Sequence, residues 1–351
     1  MASRRARRAL ALATTLTCLA SGCARDAPPG PRLYVTSGFT DEVLVLDPAD
    51  GRILDRIALD RRPADRDEPH GVAVAPDGRH WYATVAHGEP SLWKFEAPGD
   101  RLVGRLNLPT AGASRVDVSP DGARAVVPDY WLGGLGQPSR VAVVSLHDMT
   151  LVDAPVVCPA PHHAAFDPAG HRIAVVCTLS DEIVVLEADG LDLLARFPVA
   201  PGEASLPGNP LHRPMNLAWS PDGTRIYATL MRSGLVTAYT PDGDVLWSVR
   251  VGAAPAQIAL TPDGRHAFTA NRGDARLGIV DTETGEARSL PLDGALHPHG
   301  VALDPAGTTA YVAYEGTTTS AGGVVAVDLV EGRVLWRTPA GVFTLGVAYR
   351  R

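Results

Sequence analysis

An all-β fold, a β-propeller of seven blades, is predicted from three observations. An apolar strand followed by a Pro-Asp-Gly or Pro-Ala-Gly corner recurs six times, the corners starting at Pro76, Pro120, Pro168, Pro221, Pro262 and Pro305. Successive corners lie 44, 48, 53, 41 and 43 residues apart, the length of one four-stranded blade. The 351 residues include 35 Gly and 30 Pro, and no stretch reads as a long amphipathic helix.

Each repeat accounts for its strands in order. Proline presets φ and glycine accepts a positive φ, so the tripeptide suits a hairpin corner between a first and a second strand. The second strand is short and apolar, as in Trp81-Tyr82-Ala83-Thr84 and Ile226-Tyr227-Ala228-Thr229. A third follows at residues 182–186, 277–281 and 324–328, and a short acidic or glycine turn leads to a fourth, as at 332–336. First strands begin near Gly71, Arg115, His163, Asn216, Gln257, Gly300 and Gly346, which makes seven blades. The last of these has no strands behind it. Residues 33–37, 43–47 and 52–57 supply them, so the N- and C-terminal segments are expected to close one blade together. Closure removes exposed sheet edges.

The chain is 45% apolar and 20% charged, enough to bury a large core. Its formal charge of −7 has no basic stripe to offset it, and Lys94 is the single lysine. That balance argues against nucleic acid as a partner.

Three segments are expected. Residues 1–22 read as a lipoprotein signal peptide: Arg4, Arg5, Arg7 and Arg8 form a basic start, and residues 9–20 are uncharged but too few to span a bilayer. Leu19-Ala20-Ser21-Gly22-Cys23 resembles a bacterial lipobox, with Cys23 as the lipidated residue. Residues 23–31 are a proline-stiffened tether, and residues 32–351 the propeller domain. The expected location is the bacterial cell envelope, lipid-anchored at a periplasmic or outer-membrane face. In an exported protein Cys158 and Cys177 are free either to pair or to sit separately in apolar strands.

Tyr34-Val35-Thr36-Ser37, Thr269-Ala270-Asn271 and the Pro-His-Gly…Pro-Asp-Gly unit at 69–78 carry a further signal. Over residues 32–349 the chain resembles the YVTN family of β-propeller repeats. The resemblance implies the fold and leaves activity open, because propellers host many functions.

The corners and the third-to-fourth turns stay short on one face. On the opposite face the crossovers 59–70 and 200–215 and the loops 129–140 and 315–322 are long and dissimilar, which is where binding is expected. Six residues before each corner proline stand His70, Ser114, His162, Met215, Ala256 and His299, with Leu345 seventh by alignment. This slot begins the innermost strand, at the rim of the central channel. The candidate ligand-binding residues are therefore His70, His162, His163, His212, Arg213, Met215, His297 and His299. The candidate metal ligands are His70, His162 and His299, for copper or zinc, since imidazole suits both and a nearby thioether favours copper. A bland alternative stands beside this: each imidazole hydrogen-bonds a neighbouring crossover. Nitrous-oxide reductase, a similar-looking propeller, ligates copper through histidines at such positions, but this chain has fewer of them and its activity is not carried over.

Asp65, Asp67, Glu68 and Asp129 are either general bases or solvated loop charges. Tyr130 and Trp131 are either a stacking platform or a self-packed loop. No catalytic residue is assigned, and no phosphate loop or nucleophile elbow is present. The leading expectation is a monomeric lipid-anchored protein that binds or scaffolds an envelope protein or small-molecule ligand through the loop-rich face and channel. It touches the membrane through its lipid alone. The alternative is a propeller enzyme, either a copper-dependent redox protein or a lactonase- or lyase-like catalyst.

Overall fold

A computed structural model describes residues 30–60, 66–134, 136–203 and 205–351. The signal peptide, Cys23 and Asp65 lie outside the described residues. Seven antiparallel sheets are arranged as blades, and among the described residues helix is confined to one turn at Leu132–Gly134. Blade 1 starts with Pro69–Val74, blade 2 with Asp117–Val118, blade 3 with Pro161–Phe166 and blade 4 with Pro214–Trp219. Pro255–Leu260 and Pro298–Leu303 open blades 5 and 6. Blade 2 differs from the rest in that Val156–Pro159 joins its third strand as a fifth member.

Blade 7 is shared between the chain ends. Thr344–Arg350 is its innermost strand, and Arg32–Ser37, Glu42–Leu46 and Ile53–Ala58 complete the sheet outward. Val35 stands opposite Val347, Tyr34 opposite Ala348 and Leu33 opposite Tyr349.

The core lies between blades rather than within them. Strands of adjacent blades face each other, so each strand's alternate side chains enter different interblade clusters. Between blades 7 and 1, Tyr34 stacks on Trp81 at 4.6 Å and Trp81 on Phe95 at 4.0 Å. The polar ends of this wedge converge: Tyr34 Oη and Trp81 Nε1 both donate to Asp100 Oδ1, at 2.9 and 2.8 Å. Buried aromatics with satisfied polar tips bring large apolar area without an unpaired group.

The corners explain their own sequence variation. Gly78, Gly122, Gly170, Gly223, Gly264 and Gly307 all have φ between 68 and 74°, which only glycine adopts without strain. Where the corner reads Pro-Asp-Gly, the aspartate caps the turn: Asp77 Oδ1 accepts from Arg79 N at 2.9 Å and Asp222 Oδ1 from Thr224 N at 3.0 Å. Where it reads Pro-Ala-Gly, the aspartate has moved two places upstream. Asp167 Oδ1 then accepts from His171 N at 2.7 Å, and Asp304 Oδ1 from Thr308 N at 2.7 Å. The carboxylate satisfies the turn from either position.

Cys158 and Cys177 form a disulfide, with Cα atoms 5.7 Å apart. It ties the extra strand of blade 2 to the second strand of blade 3, and both cysteines are buried. Closing a loop of this length by a disulfide contributes about 3 kcal/mol. Loss of the bond in a Cys158→Ser/Cys177→Ser variant is expected to lower urea stability by about that amount; an unchanged midpoint would contradict the stapling role. Deleting residues 343–351 removes the inner strand of blade 7 and opens the ring. The truncated chain is expected to lose cooperative melting, and a cooperative transition at the parental temperature would contradict closure by the termini.

Candidate functional site

The slot that begins each innermost strand lies in a ring of hydrogen bonds around the channel. Thr36, on the second strand of blade 7, donates to the His70 carbonyl at 2.9 Å and accepts from Gly346 N at 2.7 Å. In the same way Thr84 accepts from Gly71 N at 2.7 Å and donates to the Ser114 carbonyl. Thr229 accepts from Asn216 N at 3.1 Å and donates to the Ala256 carbonyl at 2.9 Å. One hydroxyl thus joins its own blade to the next. The glycine after His70 belongs to this architecture: a Cβ at Gly71 would sit 2.8 Å from the Ser114 carbonyl oxygen.

Blades 2, 3, 5 and 6 have Pro128, Val176, Ala270 and Ala313 where the threonine would stand. In three of them the slot residue takes over the bond. Ser114 Oγ donates to the His162 carbonyl at 2.7 Å. His162 Nδ1 lies 2.6 Å from the Met215 carbonyl oxygen, and His299 Nδ1 lies 3.3 Å from that of Leu345. A carbonyl only accepts, so His162 carries its proton on Nδ1 and keeps the Nε2 lone pair, while His299 Nδ1 faces the Gln257 amide nitrogen at 3.3 Å as well as the carbonyl. His70 is different. Blade 1 has Thr84 for the ring bond, and among the described residues no group hydrogen-bonds the His70 ring.

The channel is narrow enough to bring the three imidazoles together. Ring centroids are 5.6 Å apart for His70 and His162, 5.9 Å for His70 and His299, and 6.4 Å for His162 and His299. One nitrogen from each lies within 4.8 Å of the other two. An ion held at about 2.1 Å from each would draw them to roughly 3.4 Å apart, a movement of side chains only. Burial pushes all three below the ordinary histidine range, His162 to about 3, so all are neutral at pH 7. Neutral imidazoles with Nδ1–H fixed by a carbonyl are the form in which histidine ligates metals.

Above them opens a cavity of about 440 Å³, the size of a small-molecule site. Tyr130 stands edge-on to His162 at 4.5 Å, and its hydroxyl lies 3.2 Å from Arg213 Nη2. Arg272 and Glu315 form a two-pronged ion pair, 2.7 Å at each prong. Glu68 lies 3.6 Å from His87, and burial raises its carboxyl to about 7. Glu68, Arg213 and Phe343 share a backbone feature, with φ of 54, 57 and 63°. Ala160, Ala254 and His297 have the same conformation immediately before their own innermost strands, so the left-handed residue belongs to the blade repeat rather than to the cavity.

Not every expected residue reaches this cavity. His70, His162, Met215, His299 and Arg213 line it, as do Tyr130, Trp131 and Glu68. His163 points the other way along its strand and accepts from Leu217 N at 3.4 Å. His212 lies in a separate pocket, 3.3 Å from Glu203. His297 is turned to the Gly316 carbonyl, 3.0 Å away. Asp129 accepts from Ala111 N and Gly112 N at 3.0 and 2.8 Å, fixing a loop rather than facing a ligand. Asp67 is buried outside the cavity lining.

Arg272 and Glu315 went unnoticed in the sequence, although a regularity marks them. Each immediately follows a second strand, as do Ala86 and Met231, and all four line the cavity. Their N–H groups donate to the residue two places before the slot, as from Met231 to Arg213 and from Glu315 to His297. Aligning that position would have exposed a second ring of candidates.

Comparison with known proteins places the fold in wide company. Residues 206–346 match a family model described as outer membrane protein assembly factor BamB. A protein of Photorhabdus laumondii named 6-phosphogluconolactonase is 23% identical over 295 residues, 78% of this chain and 86% of its own. The periplasmic gluconolactonase PpgL of Pseudomonas aeruginosa superposes with a TM-score of 0.69 at 20% identity, covering 92% of this chain and 99% of that one. Hydrazine synthase of Kuenenia stuttgartiensis gives 0.60 at 19% identity, covering 73% and 81%. Similarity at this level establishes the propeller and leaves chemistry to the site.

The ring assigns different roles to two histidines that look alike in sequence. His162→Ala removes a buried bond to the Met215 carbonyl and is expected to lower metal-free stability by about 1–3 kcal/mol. His70→Ala is expected to change it by less than about 1 kcal/mol. Chemical denaturation measures both; equal losses would contradict the assignment.

Proposed function

We propose that this protein is a metal-binding propeller that acts on a small molecule at the loop-rich mouth of its channel. His70, His162 and His299 would hold one copper or zinc ion, and the cavity above them admits the ligand. The observation that carries this reading is the His70 ring, which converges with two other neutral imidazoles while taking no part in the hydrogen-bond ring. A bound ion of this kind supplies Lewis-acid polarisation of a carbonyl or phosphoryl oxygen. Glu68, half-ionised near neutral pH, is the cavity group suited to moving a proton. Arg272 and Glu315 hold one another in place and fix the wall beside His299. The relatives named gluconolactonases make a cyclic ester the first substrate to assay.

The setting proposed is the cell envelope, reached through the signal peptide and held there by lipid on Cys23. The Cys158–Cys177 disulfide supports that setting, since such bonds persist outside the cytoplasm.

Copper and zinc titrations of the purified, lipid-free protein test the reading. One ion per chain is expected, with binding lost in the His70→Ala/His162→Ala/His299→Ala variant. No binding, or binding unchanged in that variant, would falsify it. With a lactone as probe, Glu68→Gln is expected to lower kcat by about 10²-fold or more while leaving the metal titration unchanged. Full activity in that variant would remove Glu68 from the mechanism.

A further inference from the structure

A second cavity, of about 700 Å³, adjoins the first, and Leu132, Arg213 and Met231 line both. Arg213, Arg232 and Arg250 line this second cavity, and no acidic residue does. Guanidinium groups elsewhere in this acidic chain commonly meet a carboxylate. Arg56 pairs with Glu42, Arg101 with Glu96, Arg172 with Asp167 and Arg272 with Glu315. None of the three cavity arginines has such a partner among the described residues. Two carboxylates stand beside the cavity without lining it: Asp181 Oδ1 accepts from the Arg213 backbone N at 2.7 Å, and Asp274 Oδ2 accepts from Ala253 N at 2.8 Å.

Fixed bonds hold two of these side chains in place and leave donors over. Arg232 Nη1 donates to the Pro210 carbonyl at 2.7 Å, and Arg213 Nη2 reaches Tyr130 Oη. Arg213 Nε is buried and has no hydrogen-bond partner. A buried donor without a partner is costly, and three like charges around one space repel each other. That repulsion falls when an anion enters, because guanidinium groups bind carboxylate and phosphate oxygens through paired N–H donors.

We propose that this cavity binds an oxyanion, the carboxylate or phosphate end of the ligand whose other end lies over the three histidines. Arg213 is the hinge of the arrangement, since it faces both spaces. The substrate class is then a small organic acid or phosphate ester. This second half rests on the metal reading above; the anion site itself does not.

Isothermal titration of the metal-free, lipid-free protein with inorganic phosphate and with acetate, at constant ionic strength in chloride, tests the site. Saturable binding of at least one anion is expected, and the stronger of the two identifies the headgroup. Arg213→Gln/Arg250→Gln is expected to weaken it at least tenfold. Arg250→Gln alone, at a residue of an exposed outer strand that does not line the histidine cavity, is expected to leave copper and zinc binding unchanged. Failure of both anions to bind, or unchanged binding in the double variant, overturns the anion site whatever the metal titration shows. Anion binding in a protein that takes no metal would leave this site standing and overturn its link to the histidines.

Discussion

The hydrogen bonds around the central channel are the constraint on which the rest of the molecule depends. At six of the seven blade junctions a side chain of one blade bonds the slot carbonyl of the next. These groups are buried where seven strands crowd together, and an unmet carbonyl there costs about 1–3 kcal/mol. The interblade clusters supply most of the apolar burial, but they are slippery surfaces of Val, Leu and Ala. The polar ring fixes how far each blade is rotated against its neighbour, and so fixes the rim of the channel.

The proposed metal site lies where that ring is built irregularly. Blades 7, 1 and 4 meet the requirement with a threonine. Blades 3 and 6 lack it and meet the requirement with imidazole, which has a second nitrogen left over. His70 adds a third imidazole where architecture already has Thr84. The functional and the architectural readings of these histidines are therefore not rivals. The bond that positions His162 is the same bond that leaves its Nε2 lone pair free for the proposed ion.

Much of this was legible in the sequence because the repeat is short and its punctuation strict. The proline-glycine corners gave the blade count, and residues 33–37 following on from 345–349 gave the closure. Aligning His70, His162 and His299 in one slot predicted their shared rim. The alignment could not give the channel's width, which decides whether opposite blades meet, and the structure puts them within reach of one ion. Neighbours in sequence were the poorer guide. His163 and His297 stand beside slot residues, yet a strand turns His163 to the opposite side from His162, and the His297 ring lies against the Gly316 carbonyl, 3.0 Å away. The pairing of Cys158 with Cys177 was open because it depends on the extra strand of blade 2, which nothing in the repeat announces. Arg272 and Glu315 follow second strands, outside the slot that was aligned.

The central claim is that three imidazoles from blades 1, 3 and 6 ligate one ion. X-ray absorption spectroscopy of the copper- or zinc-loaded protein tests it most directly. The account predicts three imidazole nitrogens at about 2.0–2.1 Å, with multiple-scattering features that fall to two imidazoles in His70→Ala. A first shell of one imidazole or none, or a spectrum that His70→Ala leaves unchanged, would contradict it.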